Sequence, residues 1–213
     1  MFSLTQEQEA VIVVHGLWVS SWTMYLLAFR LGRCGYGASC FSYSSMRATL
    51  SQNGLSLART AAALEAKRVH FVGHSLGGLV ILQMLKQNTD SRIGRIVLMG
   101  APCNGSYAAR AVAKTAAGRW MLGPSALAHE SYASIAGDYE IGSIAGNRGL
   151  GLGKLLIRGL PRPNDGVVTV EETHLKGIKD HIVMPISHSG MLFSSRTAQE
   201  ACAFLKDGRF SRD

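Results

Sequence analysis

Val69-His70-Phe71-Val72-Gly73-His74-Ser75-Leu76-Gly77-Gly78 runs from an apolar stretch into Gly-x-Ser-x-Gly and then into a helical pattern. Arg68-Val69-His70-Phe71-Val72 reads as a strand, and Leu79-Val80-Ile81-Leu82-Gln83-Met84-Leu85 as a buried helix. The turn between them lifts Ser75 out of the edge of a sheet. Residues two positions before and after it must be small, because a Cβ there would collide with the adjoining strand and helix. Gly73 and Gly77 provide that space. The helix beginning near Leu76 brings unpaired backbone N–H groups and a positive dipole end beside the serine. The plainer reading is a Gly-rich strand–helix join with Ser75 as a passive cap. Strand, turn and helix together favour an exposed nucleophile, with the Leu76 N–H as one oxyanion donor.

A serine hydroxyl is a weak nucleophile, so it needs a base, and the base needs a carboxylate to fix its tautomer. Seven histidines compete for the role. His15 and His74 lie inside motifs, His70 is in the strand before Ser75, and His129 falls in a middle insertion. His174, His181 and His188 are C-terminal. On an open parallel sheet the acid and base follow the serine in that order, from the ends of later strands. Ile182-Val183-Met184-Pro185-Ile186 suits a last strand, and Ser187-His188-Ser189-Gly190 is the loop leaving it. That places His188 at the sheet's C-terminal edge, where ligands gather. His181 sits at the opposite end of the strand, about 15 Å away. His174 precedes the strand and is the second choice; a solvent-facing loop histidine is the bland reading of both.

Pro161-Arg162-Pro163-Asn164-Asp165-Gly166-Val167-Val168 is a stiff loop with an Asn-Asp-Gly turn able to hold a carboxylate in one orientation. Asp165 is therefore the expected acid, its bland role being an Asx turn. Glu171, Glu172 and Asp180 are the substitutes, the Glu pair reading as a solvated face. Ala10-Val11-Ile12-Val13-Val14 is a β-branched run suited to a strand buried on both faces, and it ends in His15-Gly16-Leu17-Trp18. Gly16 permits close approach, and the Leu17 N–H is the expected second oxyanion donor. Losing such a donor costs roughly 3–4 kcal/mol of transition-state stabilisation. Trp18, with His15 and His74, is expected to contact substrate. Trp22 and Tyr25 are acyl-pocket candidates, although aromatics there are more often core.

With these pieces placed, the chain resembles the α/β-hydrolase superfamily, and within it bacterial lipases and esterases of the HG-x-W and GHSxGG type. The resemblance runs from His15-Gly16 through Gly73–Gly78 and Gly100-Ala101-Pro102-Cys103-Asn104-Gly105-Ser106 to Asn164-Asp165-Gly166 and Ser187–Gly190. It implies a mostly parallel, doubly wound sheet of about six strands with helices on both faces, in a minimal form lacking the family's leading antiparallel strands. It also implies carboxylic ester hydrolysis through an acyl-enzyme on Ser75 with Asp165 and His188, and no cofactor. An acyltransferase or thioesterase would share that acyl-enzyme, and a silent binding protein is a further alternative. The intact order of Ser75, Asp165 and His188 argues against the last.

The alternation of strand and helix independently argues a parallel sheet. Strands are expected near 10–15, 37–43, 68–73, 95–100, 139–145 and 181–186, and helices near 20–33, 54–66, 76–88 and 194–206. A length of 213 residues suits a single domain over the whole chain, 1–213. Segment 104–138 reads as a cap or lid, or as helices packed on the sheet edge. Gly146 to Gly159 reads as a mobile glycine-rich loop, and 208–213 as a frayed tail. The scattered acidic residues suggest no metal site. Four cysteines without metal-ligand spacing suggest core thiols in a reduced compartment, with Cys34–Cys40 as the local disulfide possibility. Residues 1–7 have no basic start or apolar core, so no signal peptide is expected and a cytoplasmic place is. The formal charge of +8 comes without a run of basic residues, which argues against nucleic acid. A small-molecule or lipid ester is the expected partner. The charge fits either a cationic rim for anionic phospholipid headgroups or ordinary solubilising charge.

Overall fold

A computed structural model describes residues 9–128, 132, 134–149, 157 and 159–212. Six parallel strands form one sheet among the described residues: β1 (Glu9–Val14), β2 (Gly37–Phe41), β3 (Arg68–His74), β4 (Ile93–Met99), β5 (Ile141–Gly146) and β6 (Asp180–Met184). Their order is β2-β1-β3-β4-β5-β6. The chain therefore reverses direction of travel between β1 and β3, opening a crevice at their C-terminal ends.

The β-branched run of β1 is uninterrupted because both of its faces are covered. Ala10, Ile12 and Val14 join one core, and Val11 and Val13 the other. The first core is closed by α2 (Leu50–Ala62) and α3 (Leu76–Gln87). The second is closed by α1 (Tyr25–Arg33), reached through a 3-10 turn at Ser21–Met24, together with α6 (Gly190–Phe193) and α7 (Ser195–Asp207). Two further helices, α4 (Tyr107–Val112) and α5 (Ala116–Ala126), form in the insertion after β4. Backbone at Gly123 has φ 68°, kinking α5 beside Met46. Ser125 Oγ donates to the Ala48 carbonyl and accepts from Asn53 Nδ2, seating this insertion on the start of α2.

Three expectations are corrected. Helix α2 starts and stops four residues before the expected 54–66. Thr49 and Gln52 form a capping box that starts it early. Its far end is capped by Arg92, whose guanidinium donates to the Leu64 and Ala61 carbonyls at 2.7 and 3.3 Å. The described part of the tail does not fray. Phe210 is buried against Phe204, its N–H bonds Asp180 Oδ2, and Ser211 donates twice to the buried Glu200 carboxylate. Finally, Cys34 pairs with Cys202, not Cys40, tying the end of α1 to α7. Bonds of this kind persist in oxidising compartments, so the expectation of a reduced, cytoplasmic setting loses its support from free thiols. No described helix is long and apolar enough to cross a membrane. His129 and residues 150–156 and 158 of the expected glycine-rich loop lie outside the described residues.

Candidate active site

Ser75 occupies the single-residue turn between β3 and α3, at φ 55° and ψ −123°. A side chain held there costs on the order of 1–3 kcal/mol, which packing on all sides must offset. The offset is visible in the glycines. A Cβ on Gly73 would come within 2.7 Å of the Gly78 nitrogen, and one on Gly77 would strike the Val14 carbonyl. The Ser75 N–H donates to the Met99 carbonyl at 2.9 Å, and its own carbonyl accepts from Gly78 N–H at 3.0 Å. The turn is thus hydrogen-bonded at both ends.

Met99 is followed by Gly100, at φ 56°, which lies directly beneath two other side chains. A Cβ on Gly100 would sit 3.1 Å from both Asp165 Oδ2 and His188 Nδ1. Those two atoms are themselves 2.7 Å apart. Asp165 is fully buried; its other oxygen accepts from the Val167 and Val168 N–H groups at 2.9 and 2.7 Å, and its carbonyl accepts from the His188 N–H. The carboxylate is therefore both an Asx-turn acceptor and the partner of His188. An ionised carboxylate only accepts, so it places the proton on His188 Nδ1 and leaves Nε2 as a lone pair.

The other candidates for acid and base are engaged elsewhere. Glu172 is buried, not solvated: one oxygen accepts from Thr169 N–H and the other from Tyr107 N–H, docking the acid loop on the start of α4. Asp180 holds the N–H groups of His181 and Phe210. His181 Nε2 donates to Thr173 Oγ1, and burial and the nearby His174 lower its pKa. His174 is exposed.

His15 and His74, expected to contact substrate, instead spend their donors on the scaffold. His15 Nδ1 donates to the Gly16 carbonyl at 2.8 Å while its ring stacks on Tyr43, whose hydroxyl holds the His15 carbonyl. The Gly16–Leu17 peptide is planar and trans, so fixing its carbonyl also fixes the opposite direction of the Leu17 N–H. A Cβ on Gly16 would lie 3.2 Å from Ser75 Cβ and 3.3 Å from His74 Nδ1. His74 is buried between that loop and the last one: its Nε2 donates to the His188 carbonyl at 3.0 Å, and the two rings lie 4.6 Å apart. Burial, reinforced by His188, pushes the His74 pKa down to about 3, so it is a neutral donor. Trp18, at φ 59°, donates Nε1 to the Met121 carbonyl and joins the β1 loop to α5. Trp22 and Tyr25 are exposed, with their rings edge to face at 5.2 Å. Gly100, Tyr43 and Glu172 were missed by the sequence reading as supporting residues; the Gly-Ala-Pro after β4 was the available signal for Gly100. Among the described residues no group of three or more His, Cys, Asp or Glu is placed to hold a metal ion.

A family model described as "Alpha/beta hydrolase family" matches residues 11–178. Among solved structures, the chain is similar to the mature form of Bacillus licheniformis lipase BlEst2 at 18% identity and TM-score 0.73, covering 95% of this chain and 93% of that one. It is similar to the Pyrococcus furiosus esterase Pf2001 at 19% identity and TM-score 0.65, covering 94% and 83%. Phospholipase PlaB from Legionella pneumophila gives 15% identity and TM-score 0.68, covering 91% and 56%. At these identities the likeness is one of fold. No curated protein matches in sequence.

Proposed function

The chain belongs to the alpha/beta hydrolase family, and from that premise we propose that it cleaves carboxylic esters through an acyl-enzyme on Ser75. His188 Nε2 takes the Ser75 proton as Oγ bonds to the ester carbon. The resulting oxyanion is held by the N–H groups of Leu17 and Leu76. The tetrahedral species collapses as His188 returns the proton to the leaving alcohol. Water then repeats the sequence, with His188 again as base, releasing the acid and restoring Ser75. Asp165 keeps the imidazole in the correct tautomer and stabilises its protonated form. The lipase, esterase and phospholipase names of the structural neighbours favour an ester substrate, including lipid esters.

The observation carrying this reading is the buried 2.7 Å Asp165–His188 pair seated on Gly100, next to the residue that bonds the Ser75 N–H. The test is covalent labelling. A fluorophosphonate should add its mass once, at Ser75, and not at all to Ser75→Ala. Turnover of p-nitrophenyl esters should fall in that variant by roughly 10⁴-fold or more. Comparable turnover in Ser75→Ala would exclude the scheme. Product partition with an added alcohol separates hydrolysis from acyl transfer.

A further inference from the structure

Helix α1 is apolar on both sides. Its inner residues Leu27, Ala28 and Leu31 are buried against the sheet. Its outer side carries Tyr25, Leu26 and Phe29, continuing Trp22 from the 3-10 turn at helical spacing. Trp22 is 76% exposed and Phe29 64%. A solvent-facing helix surface normally carries polar residues in these places.

The patch extends beyond α1. The Trp22 and Tyr25 rings meet at 5.2 Å. Arg30 donates to the carbonyl of Phe193, tying the end of α6 to α1, and the Phe193 side chain is exposed. Trp18, also exposed, lies between Leu17 and the 3-10 turn, and its Nε1 donates to the Met121 carbonyl. Trp22 comes five residues after Leu17, and α6 begins two residues after His188, so the patch starts next to the two loops that serve the candidate site.

Charge is distributed in a matching way. No Asp or Glu occurs anywhere in residues 10–64, 91–129 or 181–199, the segments that supply these elements. Exposed Arg33 ends α1, and exposed Arg196 lies in α7, which packs beside α1. The three segments hold ten of the 22 Lys and Arg and none of the 14 Asp and Glu, so the basic side chains on α1 itself, Arg30 and Arg33, have no acidic residue on their own helix. A second copy is a poor occupant, because a two-fold interface would press this cationic surface against itself. Trp and Tyr are the side chains that settle at a bilayer's polar boundary, and interspersed Arg and Lys are drawn to its anionic headgroups.

We propose that the outer face of α1, with Trp22, Tyr25, Phe29 and Phe193, docks on an anionic lipid bilayer. Resting on the ester-hydrolase reading, this surface would present the Ser75 crevice to esters carried in the membrane.

The experiment uses Ser75→Ala in vesicle flotation, so association is read without turnover. The full chain should float with phosphatidylcholine vesicles containing roughly one-third phosphatidylglycerol, and at least about tenfold less with pure phosphatidylcholine. Raising salt should weaken association. Adding Trp22→Ser and Phe29→Ser should lower partitioning by about tenfold or more. With Ser75 intact, those two changes should leave turnover of a soluble short ester within about twofold, reporting a folded, working chain. No flotation with anionic vesicles overturns the proposal, as does flotation indifferent to the aromatic changes. A concentration-dependent dimer lost in the same variant, without vesicle binding, assigns the face to a second copy and overturns it too. Flotation by a chain with no esterase activity would instead remove the hydrolase reading and keep the docking surface.

Discussion

His74 and His15 each hold a loop through one donor, and the consequence can be measured separately from the chemistry. In His74→Phe the ring volume stays but the His188 carbonyl loses its partner. We expect kcat to fall by roughly 10–100-fold with KM little changed, as small misplacements of a reacting group do. His74→Gln, whose amide reaches where Nε2 was, should recover most of the loss. His15→Phe should lower kcat by about tenfold through a less fixed Leu17 N–H, and His15→Asn should restore it. Equal damage from the Phe and amide variants would assign these residues to packing alone. His74 also predicts a pH dependence of stability. It stays neutral in the folded chain to about pH 3, whereas a free histidine titrates near 6.5. Between those values the unfolded chain binds the extra proton, so stability is complete above pH 6.5 and declines as pH falls. The slope from this group is about 1.4 kcal/mol per pH unit. His15 and His70 shift the same way through burial. Denaturant titrations from pH 7 to 4 should show the decline, shallower in His74→Gln.

The elements that position the site are held by glycines acting as contacts. Gly77→Ala would drive a methyl into the Val14 and His15 carbonyls and should leave little folded protein. Gly100→Ala is more informative, because its new methyl meets the Asp165–His188 pair and its φ is positive. We expect activity to fall by roughly 10²-fold while thermal melting shows a modest loss, a split that places the defect at the pair. Much at this scale was legible in the chain. Strand β1 declared itself as an unbroken apolar run, and β3 as one interrupted by His70, because both faces of the sheet are covered. Asp165 and His188 could be paired because His188 follows the end of the last strand and Asp165 sits in an Asn-Asp-Gly turn of recognisable chemistry. Helix α2 was misplaced for a physical reason: Ala-rich sequence continues past Ala62, and the group that stops it, Arg92, comes from the far side of β3. The inward turn of His15 and His74 was likewise unreadable, since their partners are backbone carbonyls that carry no sequence signal.

For the molecule as a whole, the least legible features are those made by distant partners. Phe210 and Ser211 looked like tail until Asp180 and Glu200 were in place to hold them. Cysteine spacing said nothing of Cys34 and Cys202, which lie 168 residues apart. Closing so long a loop restricts the unfolded chain, and its removal should cost about 3–5 kcal/mol. Melting with and without reductant, or of Cys34→Ser with Cys202→Ser, should therefore differ by roughly 10 °C; identical curves would contradict the bond's contribution. The same cross-link changes what a protease can achieve. A single cut anywhere from residue 35 to 201 yields two fragments that stay fastened to one another. Nicked at the α5 kink, the protein should migrate as one band on a non-reducing gel and as two after thiol treatment. It could thus be clipped beside its own cleft without coming apart.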